Sequence, residues 1–297
     1  MESRFTRIAF ALLSLMATAG AQCLAQAAEE ASPTPTPAKL QIRNYDHLEF
    51  DTVTGTYFGV AAFYTADDKV VFEDQRTDNE TTTAELRLLM GGDRFQGGVV
   101  IPYHVTSGDR LGNGQSDVGD IRTHLKFIPL RKDLFDVGGG FMMTFPGGSE
   151  DEGITSGEIG VLPFVTGTLH LGPTDLNTHI GYNFINHNSG DGAPESILYG
   201  TSLKMPVLDA LGLRLELAGQ QFTSGEDRNV VAIQPGLDYL IEAGPLDLLL
   251  SAAASYTMTG GTAGADGGFR SRWGVNTLSG LSRGEWGVGM GFGVLWN

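Results

Sequence analysis

Trp286-Gly287-Val288-Gly289-Met290-Gly291-Phe292-Gly293-Val294-Leu295-Trp296 alternates large apolar residues with glycine almost to the end of the chain. Trp286, Val288, Met290, Phe292, Val294 and Trp296 share one face at period two, while Gly287, Gly289, Gly291 and Gly293 share the other. Successive side chains of a strand point to opposite sides of a sheet, whereas a helix would scatter these apolar residues around its circumference. The segment is therefore a strand with one apolar face and one nearly bare face.

Four other stretches repeat the design with charge on the second face. Over 117–128, Ile121, Thr123, Leu125 and Phe127 oppose Asp120, Arg122, His124 and Lys126. Over 213–220, Leu213, Leu215 and Leu217 oppose Arg214, Glu216 and Gln220. Over 176–187, Ile180, Tyr182 and Phe184 oppose Asn177, His179 and Asn183; over 231–241, Val231, Ile233, Leu237 and Tyr239 oppose Gln234 and Asp238. A soluble sandwich turns its apolar face inward, while a transmembrane barrel turns it toward lipid and keeps the polar face inside. Local periodicity is the same for both. Segment length favours the barrel, since a tilted strand crosses a bilayer in roughly 9–11 residues. The pattern also runs from Tyr57 to the end, and Tyr57, Tyr64, Phe95, Tyr103, Trp286 and Trp296 lie near segment ends, where interfacial girdles are expected.

The expected fold class is thus all-β, a transmembrane antiparallel β-barrel of about 12–14 strands. Fourteen segments can be marked: 57–65, 69–75, 81–90, 95–105, 118–129, 134–146, 156–171, 176–187, 196–206, 211–222, 229–241, 246–257, 268–281 and 286–296. The first two are weak, which makes twelve the next count. Short turns at 91–94, 130–133, 172–175 and 282–285 alternate with longer loops at 107–115, 147–155, 188–195 and 260–268. Short turns are periplasmic and long loops external in such barrels. Followed to the end, this alternation leaves Asn297 on the long-loop side, although barrel termini normally lie in the periplasm.

The N-terminal 50 residues belong to a different object. Arg4 and Arg7, the apolar run from Ile8 to Ala19 and the Ala25-Gln26-Ala27 site make residues 1–27 a signal peptide, with an apolar run too short to span a bilayer as a helix. Cys23, the only cysteine, falls inside it, so the mature chain is expected to hold no disulfide, thiolate metal site or cysteine nucleophile. Residues 28–50, with Ser32-Pro33-Thr34-Pro35-Thr36-Pro37, read as an extended, disordered linker without ligand chemistry, and 51–297 as one barrel domain.

The formal net charge of −16, or −17 without residues 1–27, argues against nucleic acid as a partner. Gly280-Leu281-Ser282-Arg283-Gly284 has the G-x-S-x-G spacing of a nucleophile elbow, but lies in a hairpin turn between alternating strands, where Gly and Ser are ordinary. His47, His104, His124, His170, His179 and His187 include no helical pair with an intervening Glu, and Asn186 to Gly192 lacks the spacing of a calcium loop. No catalytic, metal or cofactor residue is assigned. The residues expected to line the lumen are Glu85, Arg87, Asp120, Arg122, His124, Lys126, His179, Lys204, Arg214, Glu216 and Asp238. Charges there are hydrated in a wet channel or paired in a plugged one, and sequence alone leaves both open.

Gly114-Gln115-Ser116-Asp117-Val118-Gly119-Asp120-Ile121, running on to Lys126-Phe127, resembles a recurring G-x-x-D-x-G-D…K-[YF] stretch of a bacterial outer-membrane barrel family. That family is labelled for the meta-pathway of phenol degradation and also described as a transporter family. Gly181-Tyr182-Asn183-Phe184 fits a later strand of it, and the likeness spans about 80–250. The Trp296-Asn297 ending departs by one residue from the terminal aromatic of many barrels. The resemblance implies an outer-membrane barrel passing small molecules, hydrophobic or aromatic ones included, and carries over no site residue. The expected function is a channel or transporter in the cell outer membrane, with membrane lipid, the barrel-assembly machinery and a small-molecule solute as partners. The alternatives are a barrel enzyme acting on membrane lipid and a soluble secreted β-sheet binding protein.

Overall fold

A computed structural model of the chain describes residues 48–72, 75–108, 112–148, 159–186, 195–223, 229–243, 246–260 and 286–296. A short 3-10 turn, Leu48–Phe50, precedes a run of antiparallel strands: β1 Thr56–Phe72, β2 Gln75–Gly91, β3 Phe95–Gly108, β4 Gly112–Val118, β5 Ile121–Arg131, β6 Phe135–Phe145 and β7 Ile159–Leu171. There follow β8 Thr174–Asn186, β9 Ser196–Pro206, β10 Leu211–Phe222, β11 Asn229–Glu242, β12 Leu246–Gly260 and β13 Trp286–Trp296. Apart from β4 and β5, each strand pairs with its sequence neighbours, and β1 pairs with both β2 and β13, so the sheet closes on itself. β4 and β5 both pair with β3 and form one stave: three steps from Tyr103 to Val100 face four from Val118 to Arg122, a bulge at Gly119-Asp120. The result is a closed barrel of 12 staves.

Twelve staves fall within the expected 12–14, and closure corrects the segment list and the siding of the C-terminal end. Segment 57–65 and residues 69–72 of the next segment are a single strand, β1, which continues through Asp67 with a shift of register against β2 where a turn was expected. The expected strand 268–281 and the turn 282–285 lie outside the described residues, as does the G-x-S-x-G stretch; β13 pairs with β12 from Leu246↔Trp296 to Tyr256↔Trp286. Thr56 lies opposite Trp296, at the end that carries the tight turns after Gly91, Arg131 and Leu171. Both ends of the wall thus emerge on the short-turn side, not the long-loop side.

The alternation puts polar groups inside. On β5, Arg122, His124 and Lys126 are buried while Phe127 is exposed; on β10, Leu213, Leu215 and Leu217 are exposed while Arg214 and Glu216 are buried. Exposed Phe58, Phe95, Tyr103, Phe141, Phe184, Tyr256, Trp286 and Phe292 make the outer surface apolar and aromatic. A surface of this kind is stable against lipid and not against water. Tyr57, expected in the interfacial girdle, is instead buried among Leu89 and Leu249. It has the parity of Gly59 and Gly293, where an added Cβ would come within 2.3 Å of its hydroxyl and 2.2 Å of its ring, so the two bare positions make room for the side chain.

Gly293→Val should therefore destabilise the folded barrel by about 1–3 kcal/mol through overpacking. Loss of the heat-modifiable gel band at lower denaturant would show it, with Tyr57→Ala in the same chain restoring the midpoint. A Gly293→Val barrel as stable as its parent would place Tyr57 elsewhere.

Candidate functional site

The period-two rule sets the orientation of every inner side chain, and the eleven residues expected inside are all buried, none above 6% exposed. That degree of burial describes a filled interior. Charges so placed need partners, because an unpaired buried ion costs several kcal/mol. Glu85 accepts from Arg87 Nε and Nη2 at 2.9 and 2.7 Å and from Arg122 at 3.3 Å. Arg214 pairs with Glu216 and with Asp238, both at 2.7 Å, and Ser251 donates to the second Asp238 oxygen. Arg87 also sits 5.4 Å from the centre of the Phe63 ring.

The remaining inner cations are met by residues that precede the first strand. Lys126 Nζ donates to the Asp51 carbonyl at 2.8 Å and to its carboxylate at 2.9 Å, and neither side chain has any solvent exposure. Lys204 lies 3.8 Å from the other Asp51 oxygen, and Arg122 lies 3.3 Å from Glu49. Phe50 stacks on His179 at 4.8 Å and 15° and meets Phe164 edge-on at 4.8 Å, in a cluster with Met142, Leu162 and Leu198. Thr166 donates to the Phe50 carbonyl, and the Thr52 and Thr168 hydroxyls share a hydrogen bond of 2.6 Å. Residues 49–52 thus sit inside the barrel as a plug.

Local chemistry explains how the chain gets there. Gly55 has φ 112°, a conformation that L side chains avoid, and it turns the chain from β1 back into the barrel. Gln96 holds its carbonyl at 2.7 Å. Arg131, paired with Asp136 at 3.2 Å, donates to the Thr52 carbonyl and the Thr54 hydroxyl at 2.9 and 3.0 Å, and Thr54 donates to Asp93 in a short turn. The segment therefore enters from the short-turn end. On the wall opposite, Gly200 leaves room for His179: a Cβ there would lie 2.5 Å from the imidazole.

Glu49, Phe50 and Asp51, at the expected join of linker and barrel, are all buried inside the wall. The available signal was the cation-rich inner face of β5, with Arg122 and Lys126 on one stave, which calls for acids from elsewhere. The Gly114–Asp120 motif maps to β4 and its bulge, where Asp117 caps its own neighbour's amide at 2.7 Å and Asp120 is buried. His104, buried, bonds Thr83 at 2.8 Å and faces inward; His170 lies at the short-turn end, 2.8 Å from Asp175. His47, His187 and most of the Asn186–Gly192 loop lie outside the described residues.

No protein-family model and no curated protein sequence matches the chain. Among solved structures, an outer membrane channel from Pseudomonas putida F1 aligns at a TM-score of 0.53 and 13% identity, over 85% of this chain and 100% of that one. The chain has the fold of an outer-membrane β-barrel. The translocator domain of autotransporter NalP from Neisseria meningitidis aligns at 0.48 and 12% over 82% of this chain and 89% of that one. The TodX monoaromatic hydrocarbon channel aligns at 0.45 and 10% over 82% and 91%. An apolar outer wall on this fold belongs in the outer membrane.

Removing one partner of a buried pair leaves the other charge stranded, at about 3–5 kcal/mol. Lys126→Met should therefore speed chymotrypsin cleavage after Phe50 in the folded barrel by about 10²-fold or more, read by mass spectrometry of the released peptide. Equal resistance in both proteins would mean that Asp51 is held by something other than Lys126.

Proposed function

We propose that this protein is an outer-membrane channel for small molecules, held closed by its own N-terminal segment. The observation that carries the reading is the polar, ion-paired inner wall inside an apolar outer one, with Glu49 and Asp51 completing the pairing. A wall built only to be a rigid post would be filled more cheaply by apolar side chains, since buried ion pairs seldom add net stability. Charged inner faces suit a path that is wetted when the plug leaves. The likeness of Gly114–Phe127 to the phenol meta-pathway and transporter family supports a hydrophobic or aromatic solute. In this reading residues 1–27 are removed on export, and the barrel-assembly machinery inserts the wall. A lipid-cleaving role is less well supported, because His104 faces the interior, away from lipid.

Planar-bilayer recordings test this. Full-length protein should show small, infrequent openings, and Asp51→Asn should raise the conducting fraction severalfold. Absence of both conductance and solute flux from the two proteins would overturn the reading.

Acid should act in the same direction. Burial alone would push the Glu49 carboxyl up, but Arg122, His124 and a backbone hydrogen bond outweigh it and hold the carboxyl below its ordinary value. A group that titrates lower when docked supports docking fully above its ordinary value, and that support is lost as pH falls through the docked value. The conducting fraction should therefore rise as pH falls below the ordinary carboxylate range, and less so in Glu49→Gln. An unchanged fraction across that range would contradict a role for Glu49 in closure.

A further inference from the structure

Most of the inner wall is polar, yet β6, β7 and β9 turn Met142, Leu162, Phe164 and Leu198 inward, all buried. Beside this apolar patch stand His179 on β8, whose ring lies flat against Phe50, and the ammonium groups of Lys126 and Lys204. Two adjacent plug residues fill the combined site: Phe50 puts an aromatic ring on the patch, and Asp51 puts a carboxylate between the lysines at 2.9 and 3.8 Å. An apolar patch is costly facing water, and two clustered ammonium groups on a low-dielectric wall attract an anion, so an occupant with both features is favoured whenever the plug leaves.

We infer that the Phe50–Asp51 site is a solute subsite for aromatic carboxylates, which the plug imitates when the channel is closed. The ring would take the place of Phe50 between His179 and Phe164, and the carboxylate that of Asp51 on Lys126 and Lys204. Stacking and edge-on contacts reward a flat ring over a saturated one of similar size. A charge-assisted hydrogen bond from Lys126 and the nearby Lys204 ammonium reward a carboxylate over a neutral hydroxyl. Solute and plug then compete for one site, so a solute that binds also holds the channel open.

The inference rests on the channel reading, and its test separates the two. Benzoate is titrated calorimetrically into the full-length, detergent-folded Phe50→Ala/Asp51→Asn variant and into the parent, with phenol, acetate and cyclohexanecarboxylate as comparisons. The variant should bind benzoate saturably and about tenfold or more tighter than phenol or acetate, as expected where a buried charge contact is gained or lost. Cyclohexanecarboxylate should bind more weakly than benzoate, and the parent should bind benzoate more weakly than the variant. Adding Lys126→Gln to the variant should erase the preference for benzoate over phenol. If the double variant gives no heat-shifted band, Asp51→Asn alone serves, with the same ranking expected. A folded variant with no saturable benzoate binding, or with equal affinity for benzoate and phenol, would overturn the inference. The same preparation is recorded in potassium chloride: conductance without benzoate binding leaves the channel and removes the subsite, while benzoate binding without conductance does the reverse.

Discussion

Lipid offers no hydrogen bonds, so every backbone amide and carbonyl at membrane depth has to be satisfied within the protein. In this chain the requirement is met at one seam, where β1 and β13 pair from Thr56↔Trp296 to Ala66↔Trp286. Without that seam each of these strands would present an unpaired edge to hydrocarbon, and the wall would have no fixed inside. With it, period two divides the side chains into a lipid-facing set and an interior set. The glycine face of β13 serves the same end, because Tyr57 packs over Gly59 and Gly293 beside the seam.

An inside fixed in this way creates a second problem, that of charge. Arg122, Lys126 and Lys204 are directed into a crowded interior by strand geometry alone, and burial there demands counter-charges. Glu49 and Asp51 supply them from outside the sheet, and Gly55 provides the turn that lets them in. On the proposed reading closure is coupled to electrostatics: neutralising or replacing the two carboxylates would loosen the plug. Phe50 adds an apolar anchor to the same segment, so the plug is held by one ring and two acids.

Much of this was legible in the sequence. The burial of the eleven residues follows from alternation within strands such as 117–128 and 211–222, because side-chain parity is local information. Strand count was less legible, since Ala66-Asp67-Asp68-Lys69 has the composition of a turn yet continues β1 through a register shift against β2. Tyr57 looked like a girdle aromatic, and only the pairing of Gly59 with Gly293 shows why its face is the inner one. The plug was hidden for a different reason. Glu49-Phe50-Asp51 has no periodicity of its own, and its meaning depends on Lys126, Lys204 and His179, which are brought near it by barrel closure and not by sequence.

Residues 49–52 sit inside the barrel, and on the proposed reading they close it. The Thr52 and Thr168 hydroxyls, 2.6 Å apart across the interior, offer the most direct test. A Thr52→Cys/Thr168→Cys barrel should form a disulfide on mild oxidation, lose its openings in planar bilayers, and regain them when reductant is added. Thiols that remain free in the folded barrel, or a cross-linked barrel that opens as often as the reduced one, would contradict the account.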